Sequence, residues 1–208
     1  MKTAILLASD PQAFSQALAV LQTGGLVAFP TDTVYGVGAL AFNSAAVQAI
    51  YLAKDRPVEK AIPVLIADPA DLLKVSLEVP PLAARLAACF WPGALTLVVT
   101  KHPDLPQAVS ATDTVGVRIP DHPVARALLR VTGPLAVTSA NLSGQPSPST
   151  AREAYEQLGG RIGLIIDGGT TPGGVPSTVV DCVGAEPQVL REGPVTKEQI
   201  QSCLREDF

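Results

Sequence analysis

Three cations, Lys54, Arg56 and Lys60, crowd into the stretch AKDRPVEK, in a chain with only 15 Lys and Arg against 19 Asp and Glu. The dipole at a helix end accounts comfortably for one cation. Three need another reason. A lysine point charge and a planar arginine fork, stiffened by Pro57, suit a polyphosphate. Lys54 and Arg56 are therefore the first candidates for catalysis. Arg118 poses a different question, because DTVGVRIPDHP sets it inside an apolar strand pattern. A buried arginine needs a partner, either a carboxylate of the chain or the carboxylate of a substrate. VLREGP ends a strand at Arg191, just before Gly193 and Pro194. There it is either a solvated edge charge or a further anion ligand.

Hydroxyls and one amide collect in other segments. TSANLSGQPSPS, Thr138 to Ser149, is uncharged and contains Ser139, Asn141 and Ser147. It reads as a surface linker or as a rigid loop that hydrogen-bonds a polar ligand. FPTDTVYGVG offers Thr31, Asp32, Thr33 and Tyr35 in a turn-forming composition. GVGALA fits a loose GxGxxA pattern, but its glycines do not sit in the tight strand-to-helix turn that dinucleotide binding uses. GGVPSTVVD starts a strand at Ser177 and Thr178 after a glycine turn. There is no GK[ST] for a Walker loop and no GxSxG elbow. Together these residues describe a concave site of hydroxyls, an Asn and several cations, suited to an anionic ligand such as a nucleotide.

Short apolar runs supply the strands that must position these groups: GLVAFPT, KAIPVLIA, LTLVVT, VGVRIP, LAVTSA, IGLIIDG, STVVDC and QVLREG. Helical patterns lie between them. Asp10-Pro11 opens one, Asn43 or Ser44 caps AAVQAIYLAK, and Pro80-Pro81 opens PLAARLAACF. Asp121 opens HPVARALLR, while Thr150 with Glu153 and Thr196 with Gln199 form capping-box patterns. Thr33 to Ala53 carries no charge before Lys54, and reads as a loop followed by an amphipathic helix rather than a membrane span. Several strands follow one another without a helix between, which predicts an α/β single domain with a mixed sheet.

The chain has 208 residues, 47% of them hydrophobic, and a net charge of −4. That composition supports a sizeable core and argues against a primarily electrostatic grip on nucleic acid. Three scattered cysteines, Cys89, Cys182 and Cys203, predict no disulfide framework and no structural zinc, hence a reducing cytoplasm.

In order along the chain, PTDTVYGVG, KDRP, WPGALTLV, VGVRIPDHP, TSANLSGQPSPS, IDGG with GVPSTVVD, and VLREGP resemble the motifs of the YrdC-like threonylcarbamoyl-AMP synthase family. The resemblance covers about residues 24–194. It implies a single YrdC-like domain over 1–208, with its motif-bearing core at about 10–194. The fold implied is a twisted mixed parallel and antiparallel sheet flanked by helices around a large cavity, in the short form without the extra C-terminal domain of longer relatives. The implied reaction makes threonylcarbamoyl-AMP and pyrophosphate from L-threonine, bicarbonate and ATP, with Mg²⁺ accompanying the phosphates. The product would pass to a separate transferase complex for modification of the tRNA adenosine next to the anticodon.

Carried over by motif, Lys54, Arg56, Thr114, Ser139, Asn141, Ser147 and Arg191 would hold ATP. Thr31, Tyr35, Lys60, Arg118 and Ser177 would line the threonine side, with Arg118 on the amino-acid carboxylate. No protein metal ligands are implied. KAIP after Val58-Glu59, and WPGAL in place of WPGPL, depart from the family pattern in loop shape. Two other readings are an RNA-binding or ribosome-maturation module, and a carbamoyl-transfer domain like that of hydrogenase-maturation proteins.

Overall fold

The computed structural model describes residues 2–172 and 174–205. Gly173, half of the expected glycine turn, lies outside them. In chain order the elements are β1 (Ala4–Leu7), α1 (Ala13–Gln22), β2 (Val27–Pro30), β3 (Tyr35–Leu40), α2 (Ser44–Lys54) and β4 (Val64–Leu65). A 3-10 turn (Pro69–Asp71) leads into α3 (Leu72–Val75), then α4 (Pro81–Phe90), β5 (Leu95–Thr100), β6 (Thr114–Arg118) and α5 (Pro123–Thr132). β7 (Leu135–Ser139), α6 (Ala151–Leu158), β8 (Leu164–Asp167), β9 (Thr178–Asp181), β10 (Gln188–Arg191) and α7 (Lys197–Arg205) complete the chain.

Three of the expected helix caps are present, whereas α1 starts from Gln12 rather than Asp10 and α5 from His122 rather than Asp121, neither with a side-chain cap bond. Asn43 Oδ1 accepts from the Ala46 amide at 3.1 Å. Thr150 Oγ1 accepts from the Glu153 amide at 3.2 Å, and the Glu153 carboxylate in turn accepts from the Ser149 amide. Thr196 and Gln199 exchange bonds of 2.8 and 3.3 Å. Each satisfies an amide that a helix start leaves without an internal partner.

All ten strands form one mixed sheet in the order β1-β8-β2-β3-β7-β4-β6-β5-β9-β10. β1/β8, β8/β2, β4/β6 and β5/β9 are parallel. The other neighbours are antiparallel. β3 corrects the loop expected after Thr33. Its glycines belong to the strand: a Cβ on Gly36 or Gly38 would come within 2.7 or 2.9 Å of the Val137 side chain on β7. They let β3 lie against a β-branched neighbour, and they serve no dinucleotide turn.

Strand alternation divides the core. Ala28, Ala136 and Ile165 face a cluster with residues of α2, α4, α6 and α7, while Val27, Phe29, Leu135, Val137, Leu164 and Ile166 face one with α1 and α5. In β5, β6 and β9, residues Leu95, Leu97, Val99, Val115, Val117 and Val180 belong to the first cluster. Their alternates, Thr96, Val98, Gly116, Arg118 and Val179, line a cavity on the opposite face, alongside Leu65 and Val137. Helices cover that face at one end of the sheet and leave a concave floor at the other.

Cys89 of α4 and Cys203 of α7 are joined in a disulfide, with Cα atoms 6.5 Å apart, and Cys182 is a buried free thiol. This corrects the expectation of no disulfide. The partners are 114 residues apart in sequence, and packing of α7 on α4 brings them together. No helix among the described residues is long and apolar enough to cross a membrane.

Candidate active site

The cavity on the bare face holds about 330 Å³ and is lined by Thr31, Thr33, Arg56, Thr96, Arg118, Thr138, Ser139, Ser177 and Arg191 over an apolar floor. That size and mixture are typical of a small-ligand site. Each arginine arrives on a different support. α2 ends at Lys54, Asp55 turns the chain through a left-handed φ of 51°, and the Arg56 amide closes on the Tyr51 carbonyl at 2.9 Å. The Arg56 side chain then donates to the carbonyls of Lys60 and Ala61 at 3.2 and 2.9 Å.

Arg118, at the end of β6, donates from Nε to the Gly93 carbonyl (2.8 Å), from Nη1 to Thr33 Oγ1 (3.2 Å) and from Nη2 to Asp32 Oδ1 (2.6 Å). Arg191, at the end of β10, donates from Nε and Nη2 to the Ser177 carbonyl at 3.1 and 2.8 Å. The Ser177 hydroxyl lies 2.8 Å from Thr96 Oγ1 and also accepts from Arg191.

Burial depresses all three guanidiniums below their usual range, and Arg191 is pushed down further by Arg118 and Arg56. The three positive charges therefore converge. Asp32 offsets Arg118, so the internal partner is the one realised here. Among the described residues, neither Arg56 nor Arg191 meets a carboxylate within 4 Å. Their charge is met by carbonyl dipoles and, at Arg191, by the Ser177 hydroxyl, and a bound anion can neutralise it.

Lys54 stands behind the cavity. It is buried, and its ammonium donates to the carbonyls of Ser139 and Asn141. Burial, with help from Arg56, pushes its pKa down to about 7. It clamps the end of β7, whose Ser139 does line the cavity. Asn141 is buried beside it, its amide nitrogen donating to the Leu142 and Gln145 carbonyls at 2.8 and 2.7 Å. Its Oδ1 is buried without a partner among the described residues.

Tyr35 points away from the cavity. Its hydroxyl donates to the Gly169 carbonyl at 2.7 Å and accepts from the Gly168 amide at 3.2 Å, and burial raises its pKa to about 12. Lys60 is exposed outside the lining and contributes its carbonyl to Arg56 and Tyr51. Thr114 pairs with Thr112 at 3.0 Å. It and the half-buried Ser147 also stand outside the lining.

Of the residues singled out from sequence, Thr31, Arg56, Arg118, Ser139, Ser177 and Arg191 meet at the cavity. Sequence reasoning missed Thr96, and it gave no role to Thr33 or Thr138 although both lie in segments it singled out. Thr96 had a legible signal, since it is the polar alternate in LTLVVT. Asp32 was legible only as a turn residue.

The family model Sua5_yciO_yrdC, described as "Telomere recombination", matches residues 19–193. The chain belongs to this family. It is 48% identical over 202 residues to a threonylcarbamoyl-AMP synthase of Bacillus subtilis, covering 96% of this chain and 58% of that protein. It therefore spans a little over half of that relative's length. It is 43% identical to a putative threonylcarbamoyl-AMP synthase of Mycobacterium tuberculosis, covering 96% of this chain and 94% of that protein. The crystal structure of Pyrococcus abyssi Sua5 complexed with L-threonine superposes with a TM-score of 0.92 at 39% identity, over 98% of this chain and 61% of that one. The mixed sheet and its flanking helices are thus those of the Sua5/YciO/YrdC fold, as the motifs predicted.

Proposed function

We propose that this chain is a threonylcarbamoyl-AMP synthase, making threonylcarbamoyl-AMP and pyrophosphate from L-threonine, bicarbonate and ATP. The observation that carries the reading is the pair Arg56 and Arg191, which both line the cavity of a Sua5/YciO/YrdC family member and meet no carboxylate among the described residues. The threonine amine and bicarbonate give a carbamate and water. A carbamate oxygen then attacks the α-phosphorus, and pyrophosphate leaves. Such a transfer asks the protein mainly to align the groups and stabilise negative charge.

Arg56 and Arg191 hold the phosphates, with Ser139 beside them. Arg118, set by Asp32, Thr33 and Gly93, faces the threonine carboxylate, and Thr31 and Ser177 lie near enough to read the amino acid. Lys54 and Asn141 act by holding the turn that carries Ser139. Tyr35 braces the 167–169 loop, and Lys60, Thr114 and Ser147 belong to the surrounding loops. No group of three or more His, Cys, Asp or Glu residues fit to hold a metal occurs among the described residues. Mg²⁺ accompanying ATP would be held chiefly by the nucleotide phosphates and would supply charge neutralisation there, next to Arg56 and Arg191. The product passes to a separate transferase for the tRNA adenosine next to the anticodon, in the cytoplasm where ATP and tRNA meet.

Mass spectrometry of the product from threonine, ¹³C-bicarbonate and ATP tests the reading. Threonylcarbamoyl-AMP carrying the label is expected. ATP and threonine bound but never joined would refute it.

A further inference from the structure

Arg191 reaches the cavity on an arm formed by β10 and α7. The arm has little of its own to bury. β10 is an edge strand, paired only with β9 and irregular between Val189 and Arg191. In α7 only Ile200 and Cys203 are buried. Three fastenings hold the arm beyond Arg191 itself. Gly193 lies so close to β9 that a Cβ there would come within 2.4 Å of the Thr178 amide nitrogen. Thr178 Oγ1 donates to the Val195 carbonyl at 2.7 Å and accepts from its amide at 3.0 Å. At the far end α7 rests on α4, where Arg85 Nε donates to the Cys203 carbonyl at 3.1 Å and the Cys89–Cys203 bond closes the contact covalently.

We propose that Cys89–Cys203 is a reversible thiol–disulfide site, acted on by dithiol reductants, whose state sets how firmly the arm presents Arg191 to the nucleotide phosphates. The coupling to phosphate rests on the nucleotide reading of the cavity. Cys89 is partly exposed and Cys203 buried, so a thiolate of the reductant attacks the Cys89 sulfur and Cys203 leaves as thiolate. The second thiol of the reductant then releases Cys89 and closes its own disulfide. Two electrons and two protons pass to the protein. The oxidised bond removes open arrangements of the arm, and its loss lets the arm detach locally while the sheet stays folded. Phosphate affinity then falls in proportion to the fraction of molecules with the arm seated.

The test uses the full chain, purified without reductant, with and without dithiothreitol. Maleimide labelling read by mass spectrometry should leave Cys89 and Cys203 unlabelled before reduction and label both after it. Buried Cys182 should stay unlabelled in both states and so report that the fold persists. Calorimetry should show ATP binding about two- to tenfold weaker after reduction, and restored on reoxidation. Cys203→Ser should bind like the reduced protein and ignore dithiothreitol. In Arg191→Ala, reduction should no longer change ATP affinity.

Three results would overturn the proposal: unchanged ATP affinity after verified reduction, labelling of Cys89 and Cys203 without reductant, or labelling of Cys182 on reduction. The last would make the bond a staple of the whole fold. Absence of ATP binding in both states would refute the nucleotide reading instead. Hydrogen exchange across 188–205 would then decide the latch, with faster exchange on reduction supporting it and unchanged exchange overturning it.

Discussion

Arg56 and Lys54 lie two residues apart and do different work. Arg56 lines the cavity, whereas Lys54 is spent on the Ser139 and Asn141 carbonyls. Arg56→Ala should therefore lose a charge-assisted bond worth about 1.5–3 kcal/mol, raising the ATP dissociation constant roughly ten- to a hundredfold. A titration showing wild-type affinity in the folded variant would remove Arg56 from the phosphate site. Lys54 should reveal itself through pH. Its pKa falls from 10.5 to about 7 on folding, so the cost of burying its charge is full below pH 7 and fades as pH rises toward 10.5. Across that window wild type should gain stability relative to Lys54→Met, by at most on the order of 1 kcal/mol per pH unit. Urea unfolding of both proteins at pH 7 and pH 9 measures it, and a gap that does not move with pH contradicts a depressed Lys54. For substrate choice, hydroxyls at Thr31 and Ser177 beside Arg118 predict the order threonine, serine, valine. Losing a methyl costs about 1–3 kcal/mol, while an unpaired hydroxyl site rejects its substrate far more strongly. Equal adenylate formation from valine and threonine would show a pocket that reads shape alone.

At the scale of elements, the cavity exists because α1 and α5 cover only part of one face of the sheet, and β10 closes its edge. Gly193 is the tightest point of that closure. Its Cβ position lies within 2.4–2.7 Å of backbone atoms of residues 176–178. No flexible side chain stands there to give way, so Gly193→Ala should shift β10 and carry Arg191 off Ser177. ATP affinity should fall while the far-ultraviolet spectrum and the core stay intact; ATP bound as tightly as by wild type would show that the arm adapts. The cavity-forming strands were legible because β5, β6, β7 and β9 read as β-branched runs with short flanking turns. β3 was not, since Gly36 and Gly38 weaken a strand signal, and only the neighbouring Val137 explains them. β1 was missed because Ala4–Leu7 is exposed at the edge and owes its form to pairing with β8. The Cys89–Cys203 bond left no trace in spacing, because only the packing of α7 on α4 creates it.

Across the whole molecule, ligand binding and folding should be linked, because the site draws on β3, β4, β5, β6, β7 and β9 at once. ATP at a hundred times its dissociation constant should add about 2.7 kcal/mol of stability, a rise of roughly 5–10 °C in the melting temperature for a chain of this size. A thermal scan with and without ATP checks this, and no shift at saturation would mean that the folded cavity is not the nucleotide site. The same long-range construction governs how the protein is born. Ala4–Leu7 emerges from the ribosome before every other strand of the sheet, yet its partner Leu164–Asp167 comes more than 150 residues later, and β10 waits to close the opposite edge. Until then both rims of the growing sheet offer unpaired amides and carbonyls to any passing chain. A message cut short before Arg191 would release a product that is both sticky and unable to hold nucleotide.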